Sequence, residues 1–193
     1  MLSYEESLKI LKETNAFLEG HFILSSGLHT NQYVQCAKLL SHPKKAEIIC
    51  RSLSAKIKES YNNIDLILSP AIGGIVVGYE IGRQLNIKTI FAERENNELK
   101  LRRGFTINEK SNVLIVEDVI TTGKSAMECS KLIQKNNANP IGYACIIDRS
   151  GENLEIKNKI VSQLKINLKS YKAESLPDYL KKIPAIKPGS RNI

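Results

Sequence analysis

Val113-Leu114-Ile115-Val116-Glu117-Asp118-Val119-Ile120-Thr121-Thr122-Gly123-Lys124-Ser125 is the stretch that decides the fold. Its four leading apolar residues, three of them β-branched, read as a strand buried on both faces, the pattern of a parallel sheet. Two carboxylates stand at the C-terminal end of that strand, placed at 113–117. A short loop of hydroxyls with one glycine follows, then a helix from Ala126 to about Gln134. Open α/β sheets bind ligands at this position, outside the carboxyl ends of the strands. The hydroxyls of Thr121, Thr122 and Ser125, with the loop amides, can cradle a phosphate at a helix N-terminus, where the macrodipole favours an anion. Glu117 and Asp118 repel a phosphate but can accept hydrogen bonds from sugar hydroxyls. The chemistry suggested is a phosphorylated sugar. A nucleotide P-loop is the weaker reading: its first glycine would fall at Asp118, whose charge would face the phosphates.

The units on either side repeat the pattern. Ile64 to Leu68 reads as a strand, Ser69 to Gly74 as a tight turn, and Ile75 to Gln84 as a helix. Lys88 to Phe91 is a short strand, and Ile141 to Ile147 a further one ending in Asp148-Arg149-Ser150-Gly151. Upstream, Pro43 opens an amphipathic helix over 43–60 with Ala46, Ile49, Leu53 and Ile57 on one face. Ser3 and Glu6 form a capping box for an N-terminal helix carrying Leu8 and Leu11. Residues 21–40 read as short strands around a glycine turn. Alternation of strand, turn and helix argues for an α/β fold with a mainly parallel central sheet flanked by helices. The chain of 193 residues is expected to be a single domain. Residues 43–150 would form the α/β core, with 1–40 and 160–193 contributing a small hood.

Composition narrows the partners. Hydrophobic residues make up 42% of the chain, ordinary for a globular protein, and no apolar run approaches the roughly 18 residues that span a bilayer. The acidic N-terminal residues lack a signal-peptide core, so a cytoplasmic protein that avoids membranes is expected. Cys36, Cys50, Cys129 and Cys145 have no metal or redox spacing and read as reduced core residues. His21, His29 and His42 show no metal spacing either, so no metal site built by the protein alone is expected. The net charge of +8 is dispersed in pairs such as Lys44-Lys45 and Arg102-Arg103. That suits an anionic small molecule better than nucleic acid, for which no recognition motif is present.

Three further features face the same crevice. Pro70-Ala71-Ile72-Gly73-Gly74 can offer amides to a second phosphate group, here a diphosphate. Residues 92–104 are highly polar and read either as a solvated hairpin or as a mobile flap. In the second case Arg94, Lys100, Arg102 or Arg103 would close over an anionic substrate. Arg149 is either a surface ion-pair partner or a planar fork for a carboxylate.

All thirteen residues of 113–125 resemble the ribose-phosphate motif of the type I phosphoribosyltransferases, which use 5-phosphoribosyl 1-diphosphate (PRPP). Gly20 to His29, Glu93-Arg94, Leu101 to Phe105, Asp148-Arg149 and Lys187 to Arg191 extend the likeness to the orotate phosphoribosyltransferase family, in its shorter, Thermus-like form. The resemblance covers nearly the whole chain and is weakest over 151–185. It implies that orotate and PRPP give orotidine 5′-monophosphate and diphosphate, with Mg²⁺ held mainly by PRPP, as a step of pyrimidine synthesis. It places PRPP on Glu117, Asp118, Val119, Ile120, Thr121, Thr122, Gly123, Lys124 and Ser125. Ala71, Ile72, Gly73, Gly74 and Arg94 would take the diphosphate, and orotate would contact Thr121, Arg149, Ser25, Ser26 and Gly27. Asp118, Lys100 and Arg102 would be the catalytic residues, with Arg103 an alternative flap cation. A homodimer sharing the flap between subunits is implied. The chain departs from better-known members at Ser25 and Gly73, where they carry lysine, and at Glu95; its flap has no histidine. Two alternatives are weighed: a purine phosphoribosyltransferase of the same fold, and a PRPP-sensing regulator that binds nucleic acid. Arg149 argues against the first, and the dispersed charge against the second.

Overall fold

The computed structural model describes residues 1–24, 26–151, 154 and 156–188. In chain order its principal elements are α1 (Tyr4–Glu13), β1 (Phe17–Ile23), β2 (His29–Val34), α2 (Cys36–Leu40) and α3 (Pro43–Ser60). They continue as β3 (Leu66–Pro70), α4 (Gly73–Leu85), β4 (Thr89–Glu95), β5 (Glu98–Leu101), β6 (Asn112–Ile120) and α5 (Lys124–Lys135). The last are β7 (Asn139–Asp148), β8 (Ile160–Lys165), β9 (Ser170–Tyr171) and α6 (Asp178–Lys181).

Six strands form one sheet in the order β5-β4-β3-β6-β7-β8, parallel except for the antiparallel edge strand β5. From β3 the chain crosses to β4 on one side; from β6 it crosses to β7 on the other. Those opposite crossovers put a topological switch point between β3 and β6, and a crevice opens there beyond the strand ends.

Alternation along β6 sorts the core into two layers. Leu114 and Val116 face α1 to α4 with Leu11, Leu39, Leu53 and Val77; Val113 and Ile115 face α5 with Ala126, Cys129 and Ile133. Both faces are covered, so the strand reads as an unbroken apolar run. Local signals set the helix ends. The Ser3–Glu6 capping box opens α1, Pro43 occupies the first turn of α3, and Asn86 closes α4 in a left-handed conformation.

Several boundaries differ from the sequence reading. β6 runs on to Ile120, so Asp118 to Ile120 belong to the strand and not to the loop, paired with β7 as far as Ile120↔Asp148. β3 lies two residues later than expected, and α4 begins at Gly73, making Gly73 and Gly74 its first turn. The polar stretch after Phe91 is a true hairpin of β4 and β5 turned at Asn96 and Asn97, both left-handed. Residues 160–165, expected with the hood, extend the large sheet as β8.

β1, β2 and β9 form a separate three-stranded antiparallel sheet. The C-terminal segment is laced to it: Ile23 N–H donates to Ile186 O at 2.9 Å, and Ile186 N–H to His21 O at 2.8 Å. His21 Nδ1 lies 2.9 Å from Ile183 O, and its Nε2 2.7 Å from His29 Nδ1.

Candidate active site

The turns after β3, β6 and β7 stand side by side on the crevice. Because β6 alternates, its two carboxylates separate: Glu117 continues the α5-facing series, beside Cys129, and Asp118 the series facing α4. Burial, with the Asp118 charge adding to it, pushes the Glu117 carboxyl up to about 8. Burial also raises Asp118, against the pull of the Val119 amide and its own. Both carboxyls therefore stand partly desolvated where a polyol could hydrogen-bond to them.

Gly123, in a left-handed conformation at φ 76°, is the N-cap of α5. Thr121, Thr122 and Lys124 are exposed around it, and Thr122 Oγ1 accepts from the Lys124 amide at 3.4 Å. The orphan amides of the first turn and the helix dipole favour an anion at this point. Val119 and Ile120 lie in the strand beneath it; Ile120 is buried, and its carbonyl accepts from Arg149 N–H at 2.8 Å.

On the β3–α4 side, Ala71 N–H donates to Ala92 O at 2.8 Å, the Ala71–Ile72 peptide is cis, and Ile72 is exposed. The turn approaches Asp118 so closely that a β-carbon at Gly73 would lie 2.7 Å from Oδ1. Residues 71–74 and 117–125 thus share one crevice.

Arg149 enters from the third turn. Its side chain is largely buried, and among the described residues its Nε has no hydrogen-bond partner and its guanidinium no carboxylate. Desolvation lowers its pKa, opposed by Tyr33 and Cys36 nearby. The turn itself is held by Asp148, whose Oδ1 accepts from Ser150 N–H at 2.8 Å. A buried, unmated guanidinium costs stability, which is understandable where an anion is to be bound.

The hairpin holds the other cations, on opposite faces. Arg94 points toward α5, bonded to Glu128 and to Asn97 O. Lys100 stands on the other face, opposite Glu93 in register, its Nζ 2.8 Å from Glu95 Oε2. Arg102 lies 3.7 Å from Glu95 Oε1, and Arg103 donates twice to Glu93 at 2.9 Å. All four are thus matched by glutamates in this conformation, so Arg94 and Lys100 do not converge on one point.

Of the residues expected at orotate, Ser25 lies outside the described residues. Ser26 and Gly27 form the β1–β2 tip, where Gly27 N–H donates to Leu24 O at 2.9 Å. No hydrogen bond among the described residues joins them to Arg149. The hairpin reaches the crevice by its other end instead. Cys36, read from sequence only as a core thiol, has its Sγ 3.8 Å from Asp118 O, and Tyr33 lies near Arg149. Glu128 and Glu95 were also not singled out as partners. Glu128 follows Ser125 by three positions, one helical turn below the anion loop, a spacing that could have flagged it.

Residues 37–181 match a family model described as a phosphoribosyl transferase domain. The chain is 43% identical over 192 residues to an orotate phosphoribosyltransferase of Caldicellulosiruptor saccharolyticus and 42% identical over 193 residues to one of Maricaulis maris, each alignment covering 100% of both chains. Among solved structures, orotate phosphoribosyltransferase from Aeropyrum pernix superposes with a TM-score of 0.69 at 21% identity, over 82% of this chain and 92% of that one. That likeness is one of fold.

Proposed function

This chain belongs to the orotate phosphoribosyltransferase family, and from that premise we propose that it transfers the 5-phosphoribosyl group of PRPP to orotate in pyrimidine biosynthesis. A ring nitrogen of orotate bonds to C1 of the ribose and gives up its proton. The C1–oxygen bond breaks, and diphosphate leaves with the electron pair, giving orotidine 5′-monophosphate. The observation that carries the reading is Arg149, a half-buried side chain whose Nε has no hydrogen-bond partner and whose guanidinium has no carboxylate among the described residues, on the crevice that holds Glu117, Asp118 and the N-terminus of α5. A base bearing a carboxylate supplies the missing partner; a purine has none.

The roles follow from placement. Thr121 to Ser125 hold the 5-phosphate at the α5 N-terminus. Glu117 and Asp118 accept from the ribose hydroxyls, and Ala71 to Gly74 receive the diphosphate. Thr121 and Arg149 meet orotate, with the Ser25–Gly27 tip as a further contact. Catalysis comes from positioning two substrates and neutralising the leaving diphosphate, with no nucleophilic side chain required. Arg94, Lys100, Arg102 and Arg103 supply that charge once the hairpin closes on the substrate, and closure excludes water.

Mg²⁺ fits this donor set as a companion of the substrate. Among the described residues no three metal-ligating side chains cluster, while Asp118 and Glu117 present hard oxygen ligands on the crevice. Asp118, facing the β3–α4 turn, would be the side chain to help hold it on the bound substrate. Bound there, the ion would offset the negative charge of the leaving group.

Ile72, Val76 and Tyr79 form an exposed apolar stripe along α4, 85%, 50% and 67% accessible. It supports the homodimer implied by the family, since exposed apolar patches mark interaction surfaces. The four cysteines are free thiols buried in the fold, in keeping with work in the cytoplasm. No helix among the described residues is long and apolar enough to cross a membrane.

The deciding experiment is substrate consumption by the purified protein with PRPP, with and without Mg²⁺. Orotate is run against uracil, adenine and hypoxanthine. Mg²⁺-dependent loss of orotate alone, with diphosphate released, is the expected result. Turnover of another base would overturn the role of Arg149, and PRPP binding without turnover would favour a sensor.

A further inference from the structure

Glu95 ends β4 and stands directly opposite Glu98 in the hairpin register. Like charges facing each other across an antiparallel pair destabilise it, so this arrangement does not serve the hairpin's own stability. The Glu95 carboxylate is instead used twice. Oε2 accepts from Lys100 Nζ at 2.8 Å, and Oε1 lies 3.7 Å from Arg102 Nη1. The three side chains are 41%, 43% and 52% exposed. Ion pairs so open to water add little to a fold. The neighbouring cations have their own partners, Arg94 at Glu128 and Arg103 at Glu93, so Glu95 serves Lys100 and Arg102.

We propose that Glu95 is a positioning residue that holds Lys100 and Arg102 side by side as one diphosphate-binding pair. This rests on the reading above that the hairpin cations meet the leaving diphosphate. Lysine has three donors and arginine five, so one carboxylate leaves most of them free for phosphate oxygens. Long basic side chains lose rotamer freedom when they bind. Glu95 has already restricted two of them, so their charge reaches the transition state preorganised. Lys100, bonded to Glu95, has its pKa raised and keeps its proton.

The test is steady-state kinetics with PRPP and orotate varied separately, for Glu95→Gln, Glu95→Asp, Lys100→Met, Arg102→Met and the Glu95→Gln/Lys100→Met double variant. Glu95→Gln is expected to lower kcat about tenfold with KM for orotate unchanged. Glu95→Asp should recover most of that loss, and adding Glu95→Gln to Lys100→Met should cost less than Glu95→Gln alone, because only Arg102 remains to be positioned. Melting temperatures should stay together, since the site is exposed. A normal kcat for Glu95→Gln beside a slow Lys100→Met would overturn the positioning role alone. Normal kcat for both Lys100→Met and Arg102→Met would overturn the hairpin's catalytic role, and the inference with it.

Discussion

The α-carbon of Gly73 faces the carboxylate of Asp118, and the two come so close that a β-carbon on residue 73 would lie 2.7–2.8 Å from all three carboxyl atoms. The turn proposed for diphosphate and the carboxylate proposed for ribose are therefore one mechanical unit. The obstructing atoms belong to a side chain that can rotate away. Gly73→Ala should accordingly leave the melting temperature nearly unchanged and lower kcat/KM for PRPP about tenfold, near 1.4 kcal/mol, by moving Asp118. Full activity would show that ribose does not depend on this position of Asp118. Asp118→Asn tests the same group directly and should nearly abolish turnover.

Glu117 makes a pH prediction. Its carboxyl titrates at about 8 in the folded protein against 4.5 for the ordinary group. With the folded value raised, its contribution to stability is complete below pH 4.5 and declines as pH climbs through about 8, because the unfolded chain ionises first. Glu117→Gln is neutral throughout. Its melting temperature relative to the parent should therefore rise between about pH 5 and pH 8.5 in the absence of ligand. A constant difference would mean that Glu117 ionises as an exposed glutamate does.

Arg149 should show function and stability pulling apart. Arg149→Met removes a desolvated guanidinium that lacks a carboxylate among the described residues, so the ligand-free protein should melt no lower, and by burial arguments slightly higher. KM for orotate should rise about a hundredfold, the ~2–3 kcal/mol of a charged hydrogen-bonded pair, while KM for PRPP changes little. Equal losses for both substrates would make Arg149 structural.

At Gly123 the backbone decides. A β-carbon there would be strained at φ 76° and would lie 2.7 Å from Ile156 Cδ1. Gly123→Ala should cost about 1–3 kcal/mol. Thermal unfolding should fall by several degrees, and PRPP should restore less of the loss than it adds to the parent. An unchanged melting point would show that the α5 anion loop relaxes freely.

Much of this arrangement was legible in the chain. Val113 to Val116 announced a central strand because both faces are buried, and Thr121 to Ser125 announced the turn into α5, the loop proposed here for the phosphate. The same logic ended the strand too early. Glu117 and Asp118 break the apolar run, yet ladder bonds to β7 continue to Ile120, and only the folded neighbour supplies those. β8 was placed with the hood because 151–159 gives no clear punctuation before it. The ion pairs were out of reach for another reason. Arg94 and Glu128 are 34 residues apart, and nothing short of the sheet order brings a β4 side chain against α5. Glu95 stood as an anomaly in a basic stretch until the hairpin register set it beside Lys100 and Arg102.

The lacing of the C-terminal segment onto β1 sets an order of assembly. On a ribosome the β1–β2 hairpin emerges more than a hundred residues before β9, Ile183 and Ile186, which complete its sheet and cover His21. Contacts of such long sequence separation form late. The six-stranded sheet can close as soon as β8 has emerged, while the hairpin waits. With the orotate site proposed above, which draws on both, base binding would be the last property the nascent protein acquires, and trimming the chain before Ile183 would leave a folded sheet with an unfinished hood.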